Sequence, residues 1–276
     1  MLEVIDRGSC SEAHPVPLLF VHGAWHAAWC WDEHFLNFFA DKGYRALAVS
    51  LRGHGNSPSP KPVRACTIAD YVDDVESVAD SLLMRPVVIG HSMGGGIVQK
   101  YLESHEAPAG VLLASVPPRG IRGAMLRFAR RHPWLTVKSA LTGDTMATLS
   151  TPERAREYMF SARTPESLVV DCVGRFEQES RRAIYLDLMF LSLPRPQNVT
   201  APVLVLGAEG DGCVSIEEVH ATARAYHTEA ELFPEMGHDM MLEPEWAAVA
   251  ERIHTWLESR DLRLDEDGTS QQVATQ

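Results

Sequence analysis

The sequence predicts an α/β fold: a mostly parallel central sheet with helices on both faces and a helical insertion. Three observations carry this. Short apolar runs alternate with amphipathic helical patterns between Leu18 and Leu257. The runs are apolar at nearly every position, as strands covered on both faces require. The pentapeptide Gly90-His91-Ser92-Met93-Gly94 stands between one such run, Pro86-Val87-Val88-Ile89, and a helix start.

The elements follow in order. Leu18–Val21 reads as a strand. Trp31–Asp41 has apolar residues at helical spacing, and Gly43 suits its C-cap. Ala46–Val49 is the next strand, and Arg52–Pro58 is a turn-rich loop. Thr67 caps a helix expected to run to about Met84, with Ile68, Tyr71, Val75, Val78 and Leu82 on its apolar stripe. Val87–Ile89, Val111–Ala114, Val203–Leu206 and Glu231–Phe233 complete the strands, and a last helix spans about Glu245–Glu258. From Pro117 to Asn198 the alternation stops, and the segment is rich in helix formers with no buried strand. The expected organisation is a core over 1–116 and 199–260, a helical lid over 117–198 above the C-terminal edge of the sheet, and a polar, disordered tail over 261–276.

Composition narrows the partners. A formal net charge of −12 on 276 residues argues against nucleic acid. The lid is the exception, with 13 Lys/Arg against 8 Asp/Glu, and docking onto an acidic core is the simplest use of that surplus. Five scattered cysteines, without a C-x-x-C pair, point away from a disulfide framework or a zinc site and towards a reducing cytoplasm. The N-terminus has neither a basic start nor a long apolar stretch, so neither a signal peptide nor a membrane span is expected.

Strand, G-x-S-x-G, helix is the pattern of a strained turn that exposes a serine hydroxyl at a helix N-terminus. By the pentapeptide alone Ser92 could equally be an ordinary helix N-cap. The rest of the chain decides, because a nucleophilic serine needs a base and a carboxylate to orient that base. Asp211 follows the strand Val203–Leu206, and His238 follows Glu231–Phe233, each just past a strand's C-terminal end. Glu209 competes with Asp211 for the acid role, and Asp211 has the better distance past its strand. Gly23 lets the chain turn after an inner strand, so the N–H groups of Ala24 and Met93 are the expected oxyanion donors. His22 reads as a loop histidine bonded to backbone, and Trp25, His26 and His91 are the candidates for touching substrate.

These motifs together resemble the α/β-hydrolase superfamily over roughly Leu18 to Leu257. They are HGAW at His22–Trp25, LRGHGNS at Leu51–Ser57, GHSMGG at Gly90–Gly95, the acid loop at Asp211 and GHD at Gly237–Asp239. HGAWHAAWCW at His22–Trp31 is similar to the plant methylesterase and hydroxynitrile lyase branch, while GHSMGG is shared with monoacylglycerol lipases and bacterial esterases. One departure is the short stretch before the HG loop, where only about Leu2–Ile5 is available and an outer strand is expected to be missing. The resemblance implies a serine esterase of the carboxylesterase or lipase kind, acting on a small apolar ester; the sequence shows no Gly-rich phosphate loop or metal-ligand pattern, so no cofactor and no metal are expected. The alternatives are the same triad used as a hydroxynitrile lyase, C–C hydrolase or perhydrolase, and a non-catalytic ligand-binding module.

Overall fold

The computed structural model describes residues 1–260 and Leu262. All but one residue of the tail expected at 261–276 thus lies outside the described residues. Among them, seven strands form one sheet: β1 (Val4–Arg7), β2 (Leu18–Val21), β3 (Ala46–Val49), β4 (Val87–His91), β5 (Gly110–Leu113), β6 (Val203–Ala208) and β7 (Ala230–Phe233). Their order is β1-β3-β2-β4-β5-β6-β7. β1 pairs antiparallel with β3, and every other pairing is parallel. A single strand, β1, therefore precedes β2 and its HG loop, two residues later than Leu2–Ile5.

The five inner strands are buried at every residue. Side chains alternate between two apolar cores, as a strand's period of two requires. Leu18 and Phe20 enter the core built with Trp31, Phe35 and Phe39, while Leu19 and Val21 enter the one built with Tyr71, Val75 and Tyr101. The core helices before the insertion are α1 (Trp29–Asp32), α2 (Phe35–Asp41), α3 (Ile68–Asp80) and α4 (Met93–Leu102). The segment 117–198 holds α5 (Arg122–Arg131), α6 (Pro133–Thr142), α7 (Pro152–Met159), α8 (Glu166–Arg175) and a π-helix at Ala183–Leu191, and it contains no strand. α9 (Ile216–Ala225) and α10 (Trp246–Glu258) complete the core.

Two helices differ from expectation. The helix read over Trp31–Asp41 is split into α1 and α2 at His34, whose ring stacks on Trp246 at 4.6 Å. Tertiary stacking there outweighs helical continuity. α3 is capped by Thr67 in a full capping box with Asp70, but it ends at Asp80, short of Met84. Ser81 Oγ donates to the Val78 carbonyl at 2.6 Å and closes the last turn ahead of Pro86.

Three arginines of the 117–198 segment meet acceptors outside it, while Arg131, Arg156 and Arg182 pair within it. Arg127 donates to Glu218 of α9 and to the Cys213 carbonyl, Arg163 reaches Glu235 and Glu245, and Arg175 reaches Glu33. These exposed pairs add little stability singly.

Candidate active site

β4 ends at His91 and α4 starts at Met93, which leaves Ser92 alone to reverse the chain at φ +52°, ψ −117°. Such a conformation is costly for a non-glycine residue. The flanking glycines are steric necessities. A Cβ on Gly90 would lie 2.3 Å from the Gly94 carbonyl oxygen, and one on Gly94 would lie 2.3 Å from that of Val21. Ser92 makes no N-cap hydrogen bond with its side chain. Instead its hydroxyl lies 2.8 Å from His238 Nε2.

His238 follows β7 and is almost fully buried. Its Nδ1–H donates to Asp211 Oδ2 at 2.8 Å, which leaves Nε2 to accept from Ser92. Asp211 is held in turn: its Oδ1 accepts the backbone N–H groups of Cys213 at 2.6 Å and Val214 at 2.8 Å. Glu209, the competing acid, is exposed. Burial opposes charge on His238, yet the facing Asp211 carboxylate, with help from Asp239, holds its pKa above the ordinary imidazole value. The arrangement can take a proton from a hydroxyl and stabilise the cation that results.

The loop after β2 is organised by histidines. His22 Nδ1–H donates to the Gly23 carbonyl at 2.8 Å and its Nε2 accepts the Leu51 N–H at 3.1 Å. Burial and the neighbouring His54 push the His22 pKa well down, so the ring is neutral. In a trans peptide, C=O and N–H point in opposite directions. By holding the Gly23 carbonyl, His22 therefore sets the direction of the Ala24 N–H. Met93 is the first residue of α4 and its N–H has no intrahelical acceptor. Gly23 itself admits no side chain, since a Cβ there would lie 2.8 Å from His91 Nδ1.

A cavity of about 470 Å³ is walled in part by Gly212 and Cys213, the two residues after Asp211, with neither Ser92 nor His238 in its lining. Trp25 lines it too, and Met125, Phe128, Met159, Tyr185 and Met189 are among the residues of the 117–198 segment that form most of its wall. Of the three side chains expected against substrate, only Trp25 reaches this wall. His26 and His91 are each 1% exposed and sit beneath the site, because their ring nitrogens bond backbone and a buried carboxylate. That carboxylate, Asp239, ends the GHD motif, and the motif assigns it no role of its own. A lone acid in the apolar run Met236–Leu242 was its available signal. Glu243, buried and bonded to Gly237 N–H at 3.0 Å, is a second such residue.

Two groups bring three possible metal ligands within 4.8 Å: His91, His238 and Asp239, and Asp211, Cys213 and His238. Both share His238, whose two nitrogens face Asp211 and Ser92, so an ion there would displace those contacts.

A model of the alpha/beta hydrolase family matches residues 18–252. The chain belongs to that family. Among curated relatives, a non-heme chloroperoxidase of Burkholderia pyrrocinia is 39% identical over 108 residues, covering 37% of this chain and 38% of that protein. A bifunctional esterase/perhydrolase of Acinetobacter calcoaceticus is 35% identical over 107 residues, with 37% and 38% covered. These alignments thus span well under half of each relative. Over the whole hydrolase fold, an esterase of Exiguobacterium antarcticum superposes with a TM-score of 0.74 at 21% identity, covering 93% of this chain and 95% of that one. A thermophilic esterase of Thermogutta terrifontis gives 0.73 at 20%, covering 94% and 93%. Among the described residues, no helix is long and apolar enough to cross a membrane.

Proposed function

We propose that this alpha/beta hydrolase is a serine esterase that cleaves small apolar carboxylic esters. The observation that carries the reading is the chain of two 2.8 Å contacts, Ser92–His238 and His238–Asp211, ending on a serine at φ +52°. His238 takes the Ser92 proton as the hydroxyl oxygen attacks the ester carbonyl. The N–H groups of Ala24 and Met93 receive the oxyanion. His238 then protonates the departing alcohol, which leaves the acyl group on Ser92. Water, deprotonated by His238, releases the acid and restores the serine. Asp211 keeps the histidine proton on Nδ1 throughout.

The 117–198 segment acts as a lid, and its side chains make most of the apolar cavity wall. All five cysteines are free, which fits a cytoplasmic setting. A perhydrolase reading, in which peroxide replaces water at the second step, draws support from the bifunctional esterase/perhydrolase relative.

Labelling by a fluorophosphonate tests the proposal, since it requires an activated serine. Labelling of the wild type and none of Ser92→Ala is expected. An unlabelled wild type that is folded would overturn the esterase reading in favour of a silent binding module. Perhydrolysis is read separately, from peracid formed out of an ester and hydrogen peroxide.

A further inference from the structure

Beneath the serine, histidine and aspartate lies a second set of buried ionisable groups that the proposed mechanism does not use. Asp239, fully buried, follows His238; His91 precedes Ser92; His26 belongs to the loop that carries Ala24. His26 Nε2 faces Asp239 Oδ2 at 3.2 Å and its Nδ1 faces the Ala24 carbonyl at 2.8 Å. Both ring nitrogens thus meet oxygen acceptors, the bonding pattern of an imidazolium. The rings of Trp29 and Phe176 pack on His26 at 5.5 and 4.9 Å and keep water from it. His91 Nε2–H donates to the His238 carbonyl at 3.0 Å, and Asp239 Oδ1 lies 3.8 Å away.

We infer that His26 and Asp239 form a buried ion pair that positions the oxyanion-binding loop, with Asp239 fixing His26 and His26 clamping the Ala24 carbonyl. The inference rests on the esterase reading. The clamp matters because of the next residue. The Ala24 carbonyl belongs to the Ala24–Trp25 peptide, and Trp25 sits at φ +66°, a strained value for a bulky side chain. Rotation of that peptide would relax Trp25, move it from the cavity wall and free the Ala24 Cα, which links it to the peptide that carries the Ala24 N–H. His22 holds the peptide before Ala24 and His26 holds the one after it. Both peptides that meet at the Ala24 Cα are therefore held before substrate arrives, so the Ala24 N–H keeps its place, which is what preorganised stabilisation of an oxyanion requires. Asp239 couples this loop to the base, since its own backbone continues from His238. Burial disfavours its charge, but His26, His91 and His238 hold its pKa below the ordinary carboxylate range.

The test compares three proteins. His26→Phe with Asp239→Asn removes both charges and the donor to Ala24, keeps an aromatic ring, and leaves no unpaired buried ion. Asp239→Asn alone leaves a neutral His26 that still donates Nδ1–H to Ala24 and accepts at Nε2 from the amide. With a p-nitrophenyl ester, the double variant is expected to lose about 10- to 100-fold in kcat with KM unchanged. It should lose the same factor in affinity for a trifluoromethyl ketone, which forms the tetrahedral adduct. Asp239→Asn is expected to recover most of that loss. Nitrogen NMR of ring-labelled wild type should show both His26 ring nitrogens protonated, a signature that is absent from Asp239→Asn. Wild-type kcat and ketone affinity in the double variant would overturn the inference, as would a loss explained by the unfolded fraction in circular dichroism. An inactive, unlabelled wild type would instead overturn the esterase reading, and the NMR signal would still report the ion pair.

Discussion

The Glu243 carboxylate accepts the Ser161 backbone N–H at 2.5 Å and the Ser161 hydroxyl at 2.8 Å, joining the insertion to the loop that holds His238. It also accepts from Thr164 Oγ1 at 2.8 Å and Gly237 N–H at 3.0 Å. The Asp239 N–H reinforces the joint by donating to the Met159 carbonyl at 2.8 Å. The end of α7 is therefore part of the frame of the site.

Glu243→Gln places an amide N–H₂ against this ring of donors. It is expected to destabilise by about 1–3 kcal/mol, read as a lower denaturant midpoint with an unchanged slope. Wild-type stability would show that the carboxylate does not bear on the fold.

Ser92→Ala is expected to lower kcat for ester hydrolysis by about 10⁶, with little change in melting temperature, since the turn and its glycines remain. Retention of a tenth of wild-type activity would exclude Ser92 as nucleophile.

Asp211→Asn is expected to lower kcat by about 10⁴, while the exposed Glu209→Gln stays near wild type. The pH profile supplies a second reading. The base must be neutral, so kcat/KM rises with pH through the raised His238 value. Loss of the Asp211 carboxylate removes the main influence raising it, and the acidic limb should move to lower pH.

The cavity wall of Met125, Phe128, Met159 and Met189 offers few polar groups to a small acyl chain. Activity on p-nitrophenyl esters is expected to rise from acetyl to medium-chain acyl groups. A strict preference for acetate would show that this cavity does not take the acyl chain.

His54 Nε2 lies 3.2 Å from Glu179 Oε2 with both side chains fully buried, so the LRGHGNS loop is latched to the insertion. Tyr71 O–H donates to the same carboxylate at 2.8 Å. Burial works against both charges, yet their pairing raises the His54 pKa and lowers that of Glu179. The raised His54 stabilises fully below about pH 6.5 and loses its effect as pH rises through the folded value. The depressed Glu179 stabilises above about pH 4.3 and loses its effect as pH falls through its folded value. The latch is strongest between those limits. The stability gap between wild type and Glu179→Gln, from denaturant melts, should be larger at pH 6 than at pH 9. A gap that grows with pH would contradict the pairing.

The local part of this protein was legible because its signals are local. Strands buried on both faces leave continuous apolar runs, and the clash of a Cβ at Gly90 with the Gly94 carbonyl is written into five residues. Thr67 and Asp70 announce a capping box within one turn. The placement of Asp211 and His238 after successive strands follows from parallel topology, which puts strand ends on one edge. The break between α1 and α2 was not legible, because its partner Trp246 lies far along the chain.

By itself, then, the sequence determined the sheet, the sharp turn at Ser92 and the order of serine, aspartate and histidine along one edge. Each follows from burial pattern or from sterics among neighbours. Only the tertiary structure decided that His26 and His91 lie under the site, that Asp239 faces His26, and that Glu243 and His54 bind the 117–198 segment. A buried carboxylate keeps its charge only where distant donors converge on it. Residues 213 positions apart, as His26 and Asp239 are, meet solely through the folded sheet edge.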